Sequence, residues 1–85
     1  MISMYASTQH PAIGQPVQFF VSTDMAYETV YLLVDNGSGH YAVDSTGATD
    51  SKGQVVFQIP FDSTGCFLVK AKAGSDETPA FSITL

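Results

Sequence analysis

The sequence predicts an all-β fold, a single sandwich or barrel of short antiparallel strands, and three observations predict it. Apolar and polar residues alternate in short runs from end to end. Each run closes on a cluster of Gly, Pro, Asp, Asn or Ser, at the spacing of about 8–12 residues typical of sandwiches and barrels. No stretch of useful length carries a helical period. With 85 residues the chain makes one domain, spanning 1–85, near the lower end of the size that folds unaided.

Seven strands are read in order. The first is Ile2–Ser7. The second, Pro16–Ser22, sets Val17, Phe19 and Val21 on one face. Asp24-Met25-Ala26-Tyr27 then makes a single turn of the kind found where a chain crosses between sheets. The third strand, Glu28–Asp35, aligns Val30, Leu32 and Val34. Asn36-Gly37 is a strong signal for a type I′ hairpin turn into a fourth strand, His40–Asp44. Asp44-Ser45-Thr46-Gly47 and Asp50-Ser51-Lys52-Gly53 read as turns, with Asx-type hydrogen bonds and Gly at positive φ. The fifth strand, Gln54–Pro60, aligns Val55, Phe57 and Ile59. Asp62-Ser63-Thr64-Gly65 is a further turn before the sixth strand, Cys66–Ala73, with Phe67, Val69, Ala71 and Ala73 together. The seventh, Ala80–Leu85, aligns Phe81, Ile83 and Leu85. These sets interdigitate as the two inner faces of a sandwich. Burial of each large member contributes roughly 1.5–3 kcal/mol, which suffices without a disulfide.

Composition narrows the functions. The net charge is −5, with three lysines and no arginine. A nucleic-acid surface needs several basic residues on one face to displace counterions, and an anionic membrane needs the same, so neither partner is expected. The only cysteine, Cys66, excludes an internal disulfide and favours a reducing compartment. The segment Met1–Ala6 has no basic n-region or sustained apolar stretch, so no signal peptide is expected. No apolar run approaches the roughly 20 residues of a membrane span.

Catalytic and metal-binding patterns are thin. His10 and His40 both lie in loops, and Ser38 with Asp35 or Asp44 completes a Ser-His-Asp set only on paper. No G-x-S-x-G elbow accompanies it. Asp35-Asn36-Gly37-Ser38-Gly39 lacks the spacing of a calcium loop. The chain is therefore expected not to be an enzyme and to hold no cofactor or metal.

The outward positions carry more information. Face assignment puts Phe20 and Val56 on the outside of one sheet, and Tyr31, Leu33, Cys66 and Leu68 on the outside of the other. Clusters of exposed apolar neighbours usually mark contacts, so Tyr31, Leu33, Leu68, Phe20 and Val56 are candidate partner-contact residues. Tyr5, Met25 and Tyr27 are the groups able to cover them. The first and last strands are the expected sheet edges, a second route to contact.

Gly14-Gln15-Pro16-Val17-Gln18-Phe19, Val30-Tyr31-Leu32, Thr49-Asp50-Ser51-Lys52-Gly53-Gln54-Val55-Val56-Phe57 and Thr64-Gly65-Cys66-Phe67-Leu68-Val69-Lys70-Ala71 occur in that order. Together they make the chain similar to bacterial and phage immunoglobulin-like domains. The resemblance covers nearly the whole chain, although the tryptophan and cysteine pair of antibody domains are absent. It implies a seven-stranded immunoglobulin-like β-sandwich with Greek-key topology. A chain opening on Met1 without an export signal resembles a phage product, made in the host cytoplasm and located on the virion. The resemblance thus implies a decoration protein that docks on the major capsid protein or another virion protein. One alternative is a carbohydrate- or cell-surface-binding module, with Tyr27, Asn36, His40, Tyr41 and Asp44 along one loop rim. Another is a module excised from a larger bacterial surface protein.

Overall fold

The computed structural model describes residues 1–85. Eight strands form: β1 Ile2–Ala6, β2 Pro16–Thr23, β3 Thr29–Asp35, β4 Ala42–Ala48, β5 Gln54–Pro60, β6 Cys66–Ala73, β7 Asp76–Glu77 and β8 Phe81–Thr84. They make two antiparallel sheets in a sandwich. One has the order β1-β2-β5; the other has β4-β3-β6, with β7 and β8 both paired to the far side of β6. No helix is long and apolar enough to cross a membrane.

Alternation drives the two sheets together. Val17, Phe19 and Val21 from β2 and Phe57 and Ile59 from β5 point inward from the first sheet. Val30 and Leu32 from β3, Val69, Ala71 and Ala73 from β6, and Ile83 from β8 meet them from the second. Phe61, just past β5, closes one end of the core by packing on Phe19 and Phe67. Every buried side-chain polar atom has a hydrogen-bond partner.

The fourth and the final strands differ from the sequence expectation, each because of its neighbours in the fold. The fourth strand begins and ends later than His40–Asp44, because Asp44-Ser45-Thr46-Gly47 is strand and not turn. Its pairing with β3 shifts between Leu32 and Leu33, so Asp44 is the extra residue of a bulge. Gly47 sits in mid-strand where a Cβ would come within 3.3 Å of both the Phe57 ring and Val55, a close approach between the sheets. The final strand is broken, which makes eight strands instead of seven. β7 leaves β6 after a tight turn at Gly74-Ser75, and Thr78-Pro79-Ala80 interrupts the ladder before β8. Buried Thr78 bridges the break, its hydroxyl accepting the Ala71 N–H at 3.0 Å and its N–H donating to the Ala71 carbonyl. The Asn36-Gly37 signal also gives a different object: a six-residue loop, 36–41, and not a two-residue hairpin.

The β2–β3 and β4–β5 connections are locked to each other. Thr49 is buried, and its hydroxyl accepts the Glu28 N–H and donates to the Met25 carbonyl, both at 2.8 Å. Asp50 Oδ1 accepts the N–H groups of Lys52 and Gln54. These two backbone donors, Gln54 first, hold the Asp50 carboxyl below its ordinary range. A depressed carboxyl contributes stability above the unfolded value and loses it as pH falls through the folded value. The urea midpoint of the wild type is therefore expected to fall toward that of Asp50→Asn as the solution is acidified below the normal carboxylate range. A gap between the two proteins that does not change with pH contradicts this role.

Candidate functional site

The first sheet carries the feature of interest on its outer face. Strand register sets Tyr5 opposite Phe20 and Phe20 opposite Val56, so one residue from each strand forms a row across the whole sheet. The Tyr5 and Phe20 rings stack at 4.8 Å with an interplanar angle of 18°. That separation is the spacing between neighbouring strands, so the rings stand side by side and cover each other's faces. Tyr5 remains 62% and Val56 53% exposed, with Phe20 half-buried between them. Ser3, Ser22 and Gln54 border the row on one side, and Gln18 and Gln58 on the other. No Asp, Glu, Lys, Arg or His lies anywhere on β1, β2 or β5.

The candidates Phe20 and Val56 thus come together as expected. Tyr5, considered only as a cover, is the outermost member of the row. The missing signal was the β1–β2 register. The two strands are joined by a long connection, and the sequence alone does not fix which residue of one faces which residue of the other.

The outer face of the second sheet has a different character. Tyr31, Leu33 and Leu68 do lie on it, but Lys72 stands opposite Tyr31, and Lys70 stands opposite Leu33. The Lys70 ammonium lies 4.3 Å from the centre of the Tyr41 ring and 2.9 Å from Glu77 Oε1. Its proximity holds the Glu77 carboxyl below the usual carboxylate range. Leu33 and Leu68 are half-buried, and lysines interrupt the set. This face presents charge with apolar groups between.

Cys66 is exposed at the end of β6, with Ser82 Oγ 3.4 Å away on β8. It is therefore expected to react with a thiol reagent in the native protein at a rate near that in denaturant. Protection of native Cys66 contradicts this register of β6.

Four of the five loop-rim candidates assemble. Asn36, His40, Tyr41 and Asp44, with Val34 and Ser38, line an open cleft of about 390 Å³ beside the β3–β4 loop. Asp35, buried at the end of β3, shapes that loop: its Oδ1 accepts the N–H groups of Gly37 and Gly39. Asp35 is thus committed to the backbone, away from the Ser-His-Asp role. Tyr27 is not part of the cleft. It belongs to the connection before β3, the others to the loop after it, so the length of that strand, roughly 20 Å, separates them. The expectation of a single rim is corrected accordingly. No three His, Cys, Asp or Glu side chains gather as a metal-holding group.

No family model matches the sequence, and comparison with curated proteins finds no match. Solved structures with the same fold do exist. The superoxide reductase (neelaredoxin) from Ignicoccus hospitalis superposes with a TM-score of 0.69 at 12% identity, covering 98% of this chain and 78% of that one. The PKD domain of an M14-like peptidase from Thermoplasmatales archaeon SCGC AB-540-F20 superposes with a TM-score of 0.61 at 17% identity, covering 100% of this chain and 92% of that one. At such identities the likeness shows the fold alone. It does correct one expectation, that the thin catalytic patterns of the sequence exclude an enzyme. A superoxide reductase built on this fold overturns that exclusion.

Proposed function

We propose that the chain is an immunoglobulin-like interaction module that docks on another protein through the outer face of β1-β2-β5. One observation carries the reading: the Tyr5–Phe20–Val56 row crosses a sheet without a single charged residue, while all eight carboxylates lie elsewhere on a molecule of net charge −5. A row of apolar groups rimmed by Ser and Gln has the anatomy of an interface, with an apolar centre and an uncharged hydrogen-bonding border. The crossings between sheets at β2–β3, β4–β5 and β5–β6 support a Greek-key path of the immunoglobulin-like kind. The likeness to a PKD domain supports the same reading. In this proposal the setting is a virion surface, with the major capsid protein or another virion protein as the partner, a reading that rests on the resemblance of the sequence motifs to phage immunoglobulin-like domains.

The test is cryo-electron microscopy of purified source particles carrying wild-type chain or Tyr5→Glu. Wild-type density on the shell, with occupancy lost in the variant, is the expected result. A chain absent from the particles, or bound equally well as Tyr5→Glu, overturns the reading.

A second reading rests on the cleft. Its His40, Asn36 and Asp44 groups beside Tyr41 suit a neutral sugar, although Lys70 already lies over the Tyr41 ring. A glycan array probed with wild type and Asn36→Ala tests it. Binding that the substitution weakens supports the cleft, and no binding sinks it.

A further inference from the structure

The four sheet edges are not protected alike. β1 is short, at five residues. β4 is bent by the bulge at Asp44. On the far side of β6, Thr78-Pro79-Ala80 breaks the edge strand, and Gln9 covers part of β8 by accepting the Thr84 N–H. Short length, bulges, proline and covering segments are the devices by which natural sheets keep their edges from pairing. β5 has none of them before its last residue, Pro60. Its seven residues pair with β2 in unbroken register from Gln54 to Pro60. Beyond β2 it has no neighbour in the sheet. No hydrogen bond from outside the ladder reaches Val55–Pro60, the adjacent ones going to Gln54 and Phe61. Alternate residues of β5 therefore direct unpaired N–H and C=O groups to solvent.

We infer that β5 pairs with β5 of a second copy of this chain, antiparallel about a two-fold axis at Phe57. Val55 of each copy then lies opposite Ile59 of the other, and Val56 opposite Gln58, so the inward and outward sets stay in phase. The two three-stranded sheets join into one of six, and the two Tyr5–Phe20–Val56 rows lie on one continuous face.

Charge favours a second copy at this edge. Two chains of net charge −5 repel wherever their carboxylates meet; β5, β2 and β1 present none, and those nearest this edge lie at its two ends, Asp50 tied to Gln54 and Asp62 beyond Pro60 and Phe61. The strand of the other sheet that runs beneath this edge is β4, where Gly47 lies level with Phe57. Small residues at that level let two copies approach. Asp44, three residues from Gly47, falls about 10 Å from the axis in each copy, on opposite sides. The two Asp44 carboxylates are then about 20 Å apart, more than two Debye lengths at physiological salt.

Sedimentation equilibrium of the full chain from about 1 μM to 1 mM is expected to show a reversible dimer. Val56→Glu/Gln58→Glu sets like charges directly opposite across the axis twice, and Val56→Lys/Gln58→Lys does the same with the other sign. Each double variant is expected to dimerise at least about tenfold more weakly, and an equal mixture of the two to recover dimer as a hetero-pair. A wild-type chain that stays monomeric throughout overturns the inference, and so does a dimer that both variants retain. Both variants must keep the wild-type circular dichroism. Should either unfold, amide exchange of the wild type decides: protection of Val55–Ile59 that rises with concentration supports the pairing, and protection independent of concentration overturns it.

Discussion

Phe19→Ala is expected to lower stability by about 3–5 kcal/mol, the largest loss available from a single truncation in this domain. Phe19 is fully buried on β2, between the two sheets, with its ring edge-on to Phe61 at 6.5 Å. Its removal leaves a cavity bordered by strands that cannot move inward without breaking their ladders with β1 and β5. A chain of this length is stable by only about 4–13 kcal/mol in all. The substitution therefore takes about a quarter of the total at least, and at the lower end of that range it leaves the protein largely unfolded. Urea unfolding with an unchanged m-value measures it. A loss under about 1.5 kcal/mol contradicts the packing described.

Gly53→Ala is expected to cost about 2–4 kcal/mol, although it adds only a methyl group. Gly53 has φ +79 and is buried under the β2–β3 connection, and a Cβ would meet the Thr23 carbonyl oxygen at 2.4 Å. That carbonyl belongs to backbone already fixed by the Thr23 N–H bond to Gly53 O at 2.7 Å. The clash cannot be relieved by a side-chain rotation. Either that bond or the Gly53 N–H bond to the Asp50 carbonyl at 3.1 Å must open, which disturbs the Asp50 turn that starts β5. Gly14→Ala is the control: Gly14 has a similar φ of +80 but open space around its missing side chain. It isolates the conformational cost, expected near 1 kcal/mol. Equal losses at the two positions contradict the steric account.

The sandwich and most of its core were legible because alternation is a strong signal where one face is buried. β2, β3, β5 and β6 fall within a residue of their expected limits, and the Val17/Phe19/Val21 and Val30/Leu32 sets are the buried ones. β4 was misplaced because its composition imitates a turn. Asp44-Ser45-Thr46-Gly47 has turn residues for reasons belonging to its neighbours: a bulge opposite β3 and a ring from β5 pressing on Gly47. Such reasons are tertiary and leave no local trace. The same holds for the Tyr5–Phe20–Val56 row. Phe20 and Val56 were visible as outward apolar residues, but their alignment with Tyr5 depends on a register that only the folded chain fixes. The loop rim failed in the opposite way, since Tyr27 and His40 are polar-aromatic loop residues alike in sequence but lie at opposite ends of β3.

The contrast between the two outer faces is the physical basis of the functional proposal. Lys70, Lys72 and Glu77 keep the second sheet hydrated, whereas the first offers an apolar row that is inexpensive to desolvate. Covering Tyr5, Phe20 and Val56 removes apolar surface worth about 25 cal/mol per Å² without stranding any charge.

Site-specific photo-crosslinking addresses that contrast most directly. Benzoylphenylalanine is placed at Gln18, beside the row on the first sheet, or at Lys72 on the second, and the chain is irradiated on the virion to which the proposal assigns it. A discrete adduct with the proposed shell partner is expected from position 18 and none from position 72. Adducts from position 72 alone contradict it and move the docking surface to the charged sheet.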